Sequence, residues 1–177
     1  QLGQSRVALE QFKDAEGLFK EVSENHDEHY LADWAIARRA ACLTSLGRNA
    51  EAEALLAPFA EKYTAQKGSV SDLPATKAML QKVDNAGVKA GAAFLSLIER
   101  SAFTLGLAQF NQEHFGDAAA QFKQFQAQYP DSALRDEAGF RLAQSWYRQD
   151  AFAEAAAAYA SIASGTGEFA AAASFEQ

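Results

Sequence analysis

Two histidines three residues apart, His26 and His29, bracket Asp27 and Glu28 in the stretch NHDEHY, the densest grouping of metal-ligating side chains in the sequence. A metal site needs three or four ligands that converge on one point. A polar stretch between two helices scatters its side chains into water, so a solvated turn accounts for these residues more simply. His114 stands by itself in a turn before Phe115. The single cysteine, Cys42, excludes an internal disulfide and any multi-cysteine zinc site. It lies among Ala and Leu without an evident histidine partner, which marks it as a small core residue rather than a nucleophile. Carboxylates are spread along helix faces, where solvated pairs such as Glu16 with Lys20 suffice to explain them. No Gly-rich phosphate loop follows a strand. No catalytic residue, cofactor or metal site is assigned, and the chain is not expected to be an enzyme.

The charge balance removes a further class of partner. With 16 Lys+Arg against 23 Asp+Glu, the net charge of −7 lacks the cation excess that phosphate neutralisation requires, so nucleic acid is not an expected partner. The longest apolar stretch, AGAAFLSLI at 90–98, is far short of the roughly 20 residues of a membrane-spanning helix, and no membrane insertion is expected. At 177 residues the chain can form one domain or a more elongated array. The sequence opens without Met and ends in GEFAAAASFEQ, which reads as the beginning of a helix, so the chain is expected to be a piece of something longer.

What positions these residues is an internal repeat. Ala155 has Tyr159 and Ile162 one and two turns later, Phe152 before it and Leu142-Ala143 further back. Ala118 repeats the pattern with Phe122, Phe125, Phe115 and Leu105-Gly106, and Ala15 with Phe19, Val22, Phe12 and Leu2-Gly3. Ala52 keeps Leu56 and Phe59 but has Asn49 and Arg39 at the other two places, making it the weakest copy. The anchors are spaced by 37, 66 and 37 residues. A small residue lets two helix backbones approach, and large apolar residues one and two turns on fill the groove beside it. Each helix pair leaves an apolar face uncovered, so successive pairs must stack.

The spacing predicts first helices near 1–10, 30–46, 88–112 and 133–149, and second helices near 12–25, 50–64, 116–128 and 151–163. Asn49 and Asp117 are expected N-caps, and Gly47, Gly116 and Pro130 are expected at breaks. No segment alternates as a half-buried strand does; the fold class is all-α. The domain organisation is two units over 1–64, the first truncated at its start, an insertion over 65–87, two units over 88–163, and the start of a further helix over 164–177. Within the insertion a loop near 65–72 and a short helix near 74–84 are expected. It reads either as a binding lid or as a surface insertion of small entropic cost, the simpler of the two.

The quoted residues resemble the tetratricopeptide repeat, which has Leu-Gly and an aromatic in its first helix, Ala and an aromatic in its second, and often a closing Pro. Leu105-Gly106, Phe115, Ala118, Phe122 and Pro130 match it, as do Leu142-Ala143, Trp146, Phe152, Ala155 and Tyr159. Arg39 departs where Leu is usual, and Phe125 and Ile162 depart where Ala is usual. The resemblance implies hairpins stacked in a right-handed solenoid whose first helices line a concave groove. Its residues here would be Trp34, Ala37, Ala41, Thr44 and Ser45, then Phe103, Leu107, Phe110 and Asn111, then Glu137, Phe140, Gln144, Tyr147 and Arg148. An aromatic groove with a few polar groups suits an extended peptide or a partner helix; packing under neighbouring helices is the competing explanation for each residue.

Some members of the family grip a C-terminal carboxylate with an Asn at a position held here by Gln4, Ala41, Leu107 and Gln144, so that clamp is not expected. The stretch from Phe115 to Tyr147 is similar to repeats of bacterial envelope proteins such as the Tol-Pal-associated periplasmic protein and the outer-membrane-assembly lipoproteins. That likeness implies a periplasmic or envelope location, with the cytoplasm as the alternative. The expected function is a non-catalytic scaffold for a protein or peptide partner. The alternative is the helical superstructure of a larger, peptidoglycan-processing envelope enzyme, and a further possibility is self-assembly through terminal repeats.

Overall fold

Alanine and unbranched side chains, which lose least on entering a helix, run through every stretch assigned above to a helix. The computed structural model describes residues 2–25, 30–64, 85–164 and 168–175. Its elements are α1 (Leu2–Asn25), α2 (Tyr30–Ser45), α3 (Asn49–Thr64), α4 (Asn85–Asn111), α5 (Phe115–Gln128), α6 (Arg135–Tyr147), α7 (Phe152–Ala163) and α8 (Glu168–Phe175). The fold is all-α, built of repeated helical hairpins. The loop and short helix expected between 65 and 84 lie outside the described residues.

The chain divides into two compact units, Gln1–Thr104 and Leu105–Gln177. In the first, α1 packs on α2 and α2 on α3. In the second, α5 packs on α6, α6 on α7, and α8 on both α7 and α6. Three of the four anchors sit at equivalent places: Ala52, Ala118 and Ala155 are buried in the first turns of α3, α5 and α7. Their amides donate to the carbonyls of Arg48, His114 and Ala151 at 3.1, 2.9 and 3.0 Å. The large residues that follow, Leu56 and Phe59, Phe122 and Phe125, Tyr159 and Ile162, are all buried. Phe125 and Ile162, which depart from the family pattern, therefore fill core space that alanine would leave open.

The small residue twelve positions before each anchor, Ala40, Gly106 or Ala143, is buried as well. At Gly106 the reason is direct: a Cβ there would lie 2.7 Å from the Phe122 ring. At Gly139 a Cβ would come within 2.8 Å of the Gln126 amide and 3.3 Å of Ile162, so α6 is held close to both of its neighbours.

The turn inside each hairpin repeats in its hydrogen bonds. Arg48, His114 and Ala151 donate their amides to the carbonyls of Leu43, Gln109 and Trp146 at 2.8, 3.0 and 3.0 Å. Gly47, Glu113 and Asp150 donate to Thr44, Phe110 and Tyr147 at 3.0, 3.0 and 3.1 Å. This paired pattern ends a helix with one left-handed residue, and φ is +74° at Gly47, +63° at Glu113 and +59° at Asp150. Glycine adopts that conformation freely, whereas a residue with a Cβ loses about 1–2 kcal/mol, Asp less than most. Glu113→Gly should therefore raise stability by about 0.5–1 kcal/mol after glycine's greater chain entropy is allowed for, and Asp150→Gly by less. Urea unfolding midpoints check the order.

Several expectations are corrected. The helices expected near 1–10 and 12–25 form one helix, α1, because VALEQFKD holds no glycine or proline to stop it. Ala15 accordingly lies within a continuous helix and is half-buried, while its neighbour Glu16 is buried. Asp117 is not a cap; it lies in the first turn of α5, whose N-cap is His114, and Gly116 is inside that helix rather than at a break. Its carboxylate there favours the positive end of the helix dipole. Between α5 and α6, the YPDS stretch forms a local turn in which Ser132 Oγ accepts the Leu134 amide at 3.0 Å.

Candidate functional site

Residues three and four apart on a helix share a face, and Arg141, Gln144 and Tyr147 form such a row on α6, continued by its C-cap Arg148. Together with Phe110, at the end of α4, and Tyr159 of α7, they line a cavity of about 390 Å³ in the second unit. Arg141 stacks over Phe110, its guanidinium carbon 5.8 Å from the ring centre, and its Nη1 donates to Gln144 Oε1 at 3.0 Å. Arg148 lies over Phe115 at 5.8 Å. Tyr147 is 53% exposed and meets the exposed Phe152 edge to face at 5.4 Å. The cavity thus has aromatic walls, two guanidinium groups and one amide, and is of a size for one or two side chains.

Of the residues expected in a groove, Phe110, Gln144, Tyr147 and Arg148 come together in this cavity. Phe140 is half-buried in the cluster of α6, α7 and α8, its ring 5.5 Å from Tyr159 and 5.6 Å from Phe169. Phe103 is buried, Leu107 half-buried and Asn111 exposed. Trp34, in the first unit, is half-buried with Arg38 over its ring at 5.8 Å. Thr44 and Ser45 donate their hydroxyls to carbonyls of their own helix, Ala40 and Ala41, at 3.0 Å each. Arg141 and Tyr159 were not expected in the site. Arg141 was findable, one turn before Gln144 on the same face; Tyr159, a residue of the core pattern, gave no such signal.

The first unit holds two polar cross-links. Glu16 of α1 accepts from Arg39 Nε at 2.8 Å and from Arg48 Nη1 at 3.4 Å, and Arg39 also reaches Glu24 at 3.1 Å. Glu16 is therefore not a solvated partner of Lys20, and Arg39, standing where Leu is usual, replaces an apolar contact by an ionic one. Asp33 of α2 accepts from Lys62 Nζ at 2.7 Å and from the Tyr63 hydroxyl of α3. Burial, with the Asp33 carboxylate beside it, holds the Tyr63 phenol proton well above its usual range.

Cys42 is buried, and that burial pushes its thiol up, away from the thiolate a nucleophile needs. Residues 26–29, which hold His26 and His29, lie outside the described residues. Among the described residues no three metal-ligating side chains gather, and no helix is long and apolar enough to cross a membrane.

No curated protein matches the chain. Residues 100–132, covering the last part of α4, all of α5 and the turn that follows, match the tetratricopeptide repeat family model. That stretch contains Ala118, whose buried position and turn hydrogen bonds recur at Ala52 and Ala155; the match itself covers one repeat.

Proposed function

We propose that the chain is a non-catalytic interaction module that takes a peptide or a segment of a partner protein into the cavity walled by Phe110, Tyr147 and Tyr159. Tetratricopeptide repeats generally mediate protein–protein interaction, and the observation that carries the reading is the convergence of two guanidinium groups and an amide on an aromatic cavity. Four of its six lining residues lie at positions the family uses for recognition. Tyr147, exposed at the rim, can change without disturbing packing, whereas Phe140, set against Tyr159 and Phe169, cannot.

The test begins with crosslinking and mass spectrometry in the source cell to identify the partner. Tyr147→Ser should then weaken capture of that partner at least several-fold with the melting temperature nearly unchanged, while Phe140→Ser should lower the melting temperature. Capture at full strength by Tyr147→Ser would remove this face from the interaction.

The partner is a protein rather than nucleic acid, in keeping with the net charge of −7. The module works in the bacterial periplasm or cell envelope, as part of an assembly there. The stretch YPDSALRDE, which resembles repeats of envelope proteins, supports this location. Fractionation of the source cell checks it, and recovery of the protein in the cytosol alone would refute it.

A further inference from the structure

Arg141 is half-buried, its Nε is shut off from solvent without a hydrogen-bond acceptor, and its one polar contact is the neutral Gln144 oxygen. Among the described residues, neither Arg141 nor Arg148 forms an ion pair with a carboxylate. A partly desolvated guanidinium without a counter-charge, as at Arg141, is unfavourable, and in a chain of net charge −7 this group and the exposed Arg148 at one cavity mark a local reversal of sign. Stacking on Phe110 and Phe115 orients both groups in advance. The aromatic walls add apolar surface next to them.

We infer that the cavity selects an acidic peptide segment of a partner protein, in which an Asp or Glu side chain is received by Arg141 and Arg148 and an adjoining aliphatic or aromatic side chain rests against Phe110 and Tyr147. This rests on the function proposed above and adds the chemistry of the partner. Arginine suits the role because its planar donors match a carboxylate in pairs.

A random peptide library, acetylated at its N-termini and amidated at its C-termini so that side chains supply the only carboxylates, is panned on the full chain. The expected result is enrichment of Asp or Glu beside an apolar residue. The recovered peptides should lose on the order of tenfold or more in affinity to Arg141→Gln and to Arg148→Gln, but not to Arg135→Gln, an exposed arginine of the same helix that does not line the cavity. Raising salt should weaken binding. Arg148 is exposed, so its variant keeps the fold even if Arg141→Gln does not. Enrichment of neutral or basic peptides, or acidic peptides that bind both variants undiminished, would overturn the inference while leaving the peptide-binding function standing. Enrichment of nothing in the capped library, with an uncapped library enriched for free C-termini, would assign the cavity to terminal carboxylates and overturn it too. No enrichment in either would overturn both.

Discussion

Phe122→Ala should cost about 3–5 kcal/mol, as for other fully buried aromatics cut back to alanine, because no part of the ring reaches solvent. The same ring decides what Gly106 can become. In a helix, Gly→Ala ordinarily gains about 1 kcal/mol. Here the new methyl would sit 2.7 Å from the ring of Phe122, which is fully buried. Overpacking of this kind costs about 1–3 kcal/mol, so Gly106→Ala should destabilise the wild-type chain. Once Phe122→Ala has removed the ring, the same methyl gains its helix preference and fills part of the void, and Gly106→Ala should stabilise. A reversal of sign between the two backgrounds, read from urea unfolding of the four proteins, is the expected coupling. Strict additivity would mean that α4 and α5 do not meet at these residues.

Glu16→Ala should cost about 3–5 kcal/mol, the usual loss when one partner of a buried ion pair is deleted and the other is left. The Glu16 and Arg39 side chains are only 9% and 11% exposed, and their bond is 2.8 Å long. Glu24 also reaches Arg39 but is 54% exposed, so it cannot replace the buried carboxylate. Replacing both partners, Glu16→Leu with Arg39→Leu, should recover most of the loss, since an apolar pair of similar size is often as stable as a buried ionic one. Thermal unfolding separates the outcomes, and a Glu16→Ala protein as stable as the wild type would show that the pair is solvated.

These two sites show what the sequence makes legible and what it does not. The small residue at each anchor, with apolar residues four and seven positions on, is a local pattern, and it located Ala52, Ala118 and Ala155 in their hairpins. Glu16 and Arg39 are 23 positions apart. Helical spacing offered Lys20 as the partner of Glu16, and nothing local favours an arginine on another helix. The break expected before Ala15 failed for a related reason: Glu10 stands where Glu113 stands in the third hairpin, yet Glu10 is helical and Glu113 left-handed. Only at Gly47 does the residue type announce the turn. In the cavity, Gln144, Tyr147 and Arg148 came from the family resemblance, and Arg141 could have been added from its spacing on the same face. Tyr159 could not, because a side chain can be nine-tenths buried in a core and still form the floor of a recess.

The central claim, that partners are taken by the α6 face of the second unit, is tested most directly by a nuclear magnetic resonance titration of the full chain with the tightest-binding peptide. The footprint should centre on Phe110, Gln144, Tyr147 and Arg148 and leave Lys123, exposed on α5, unmoved. A footprint confined to α5, or to the helices of the first unit, would contradict it.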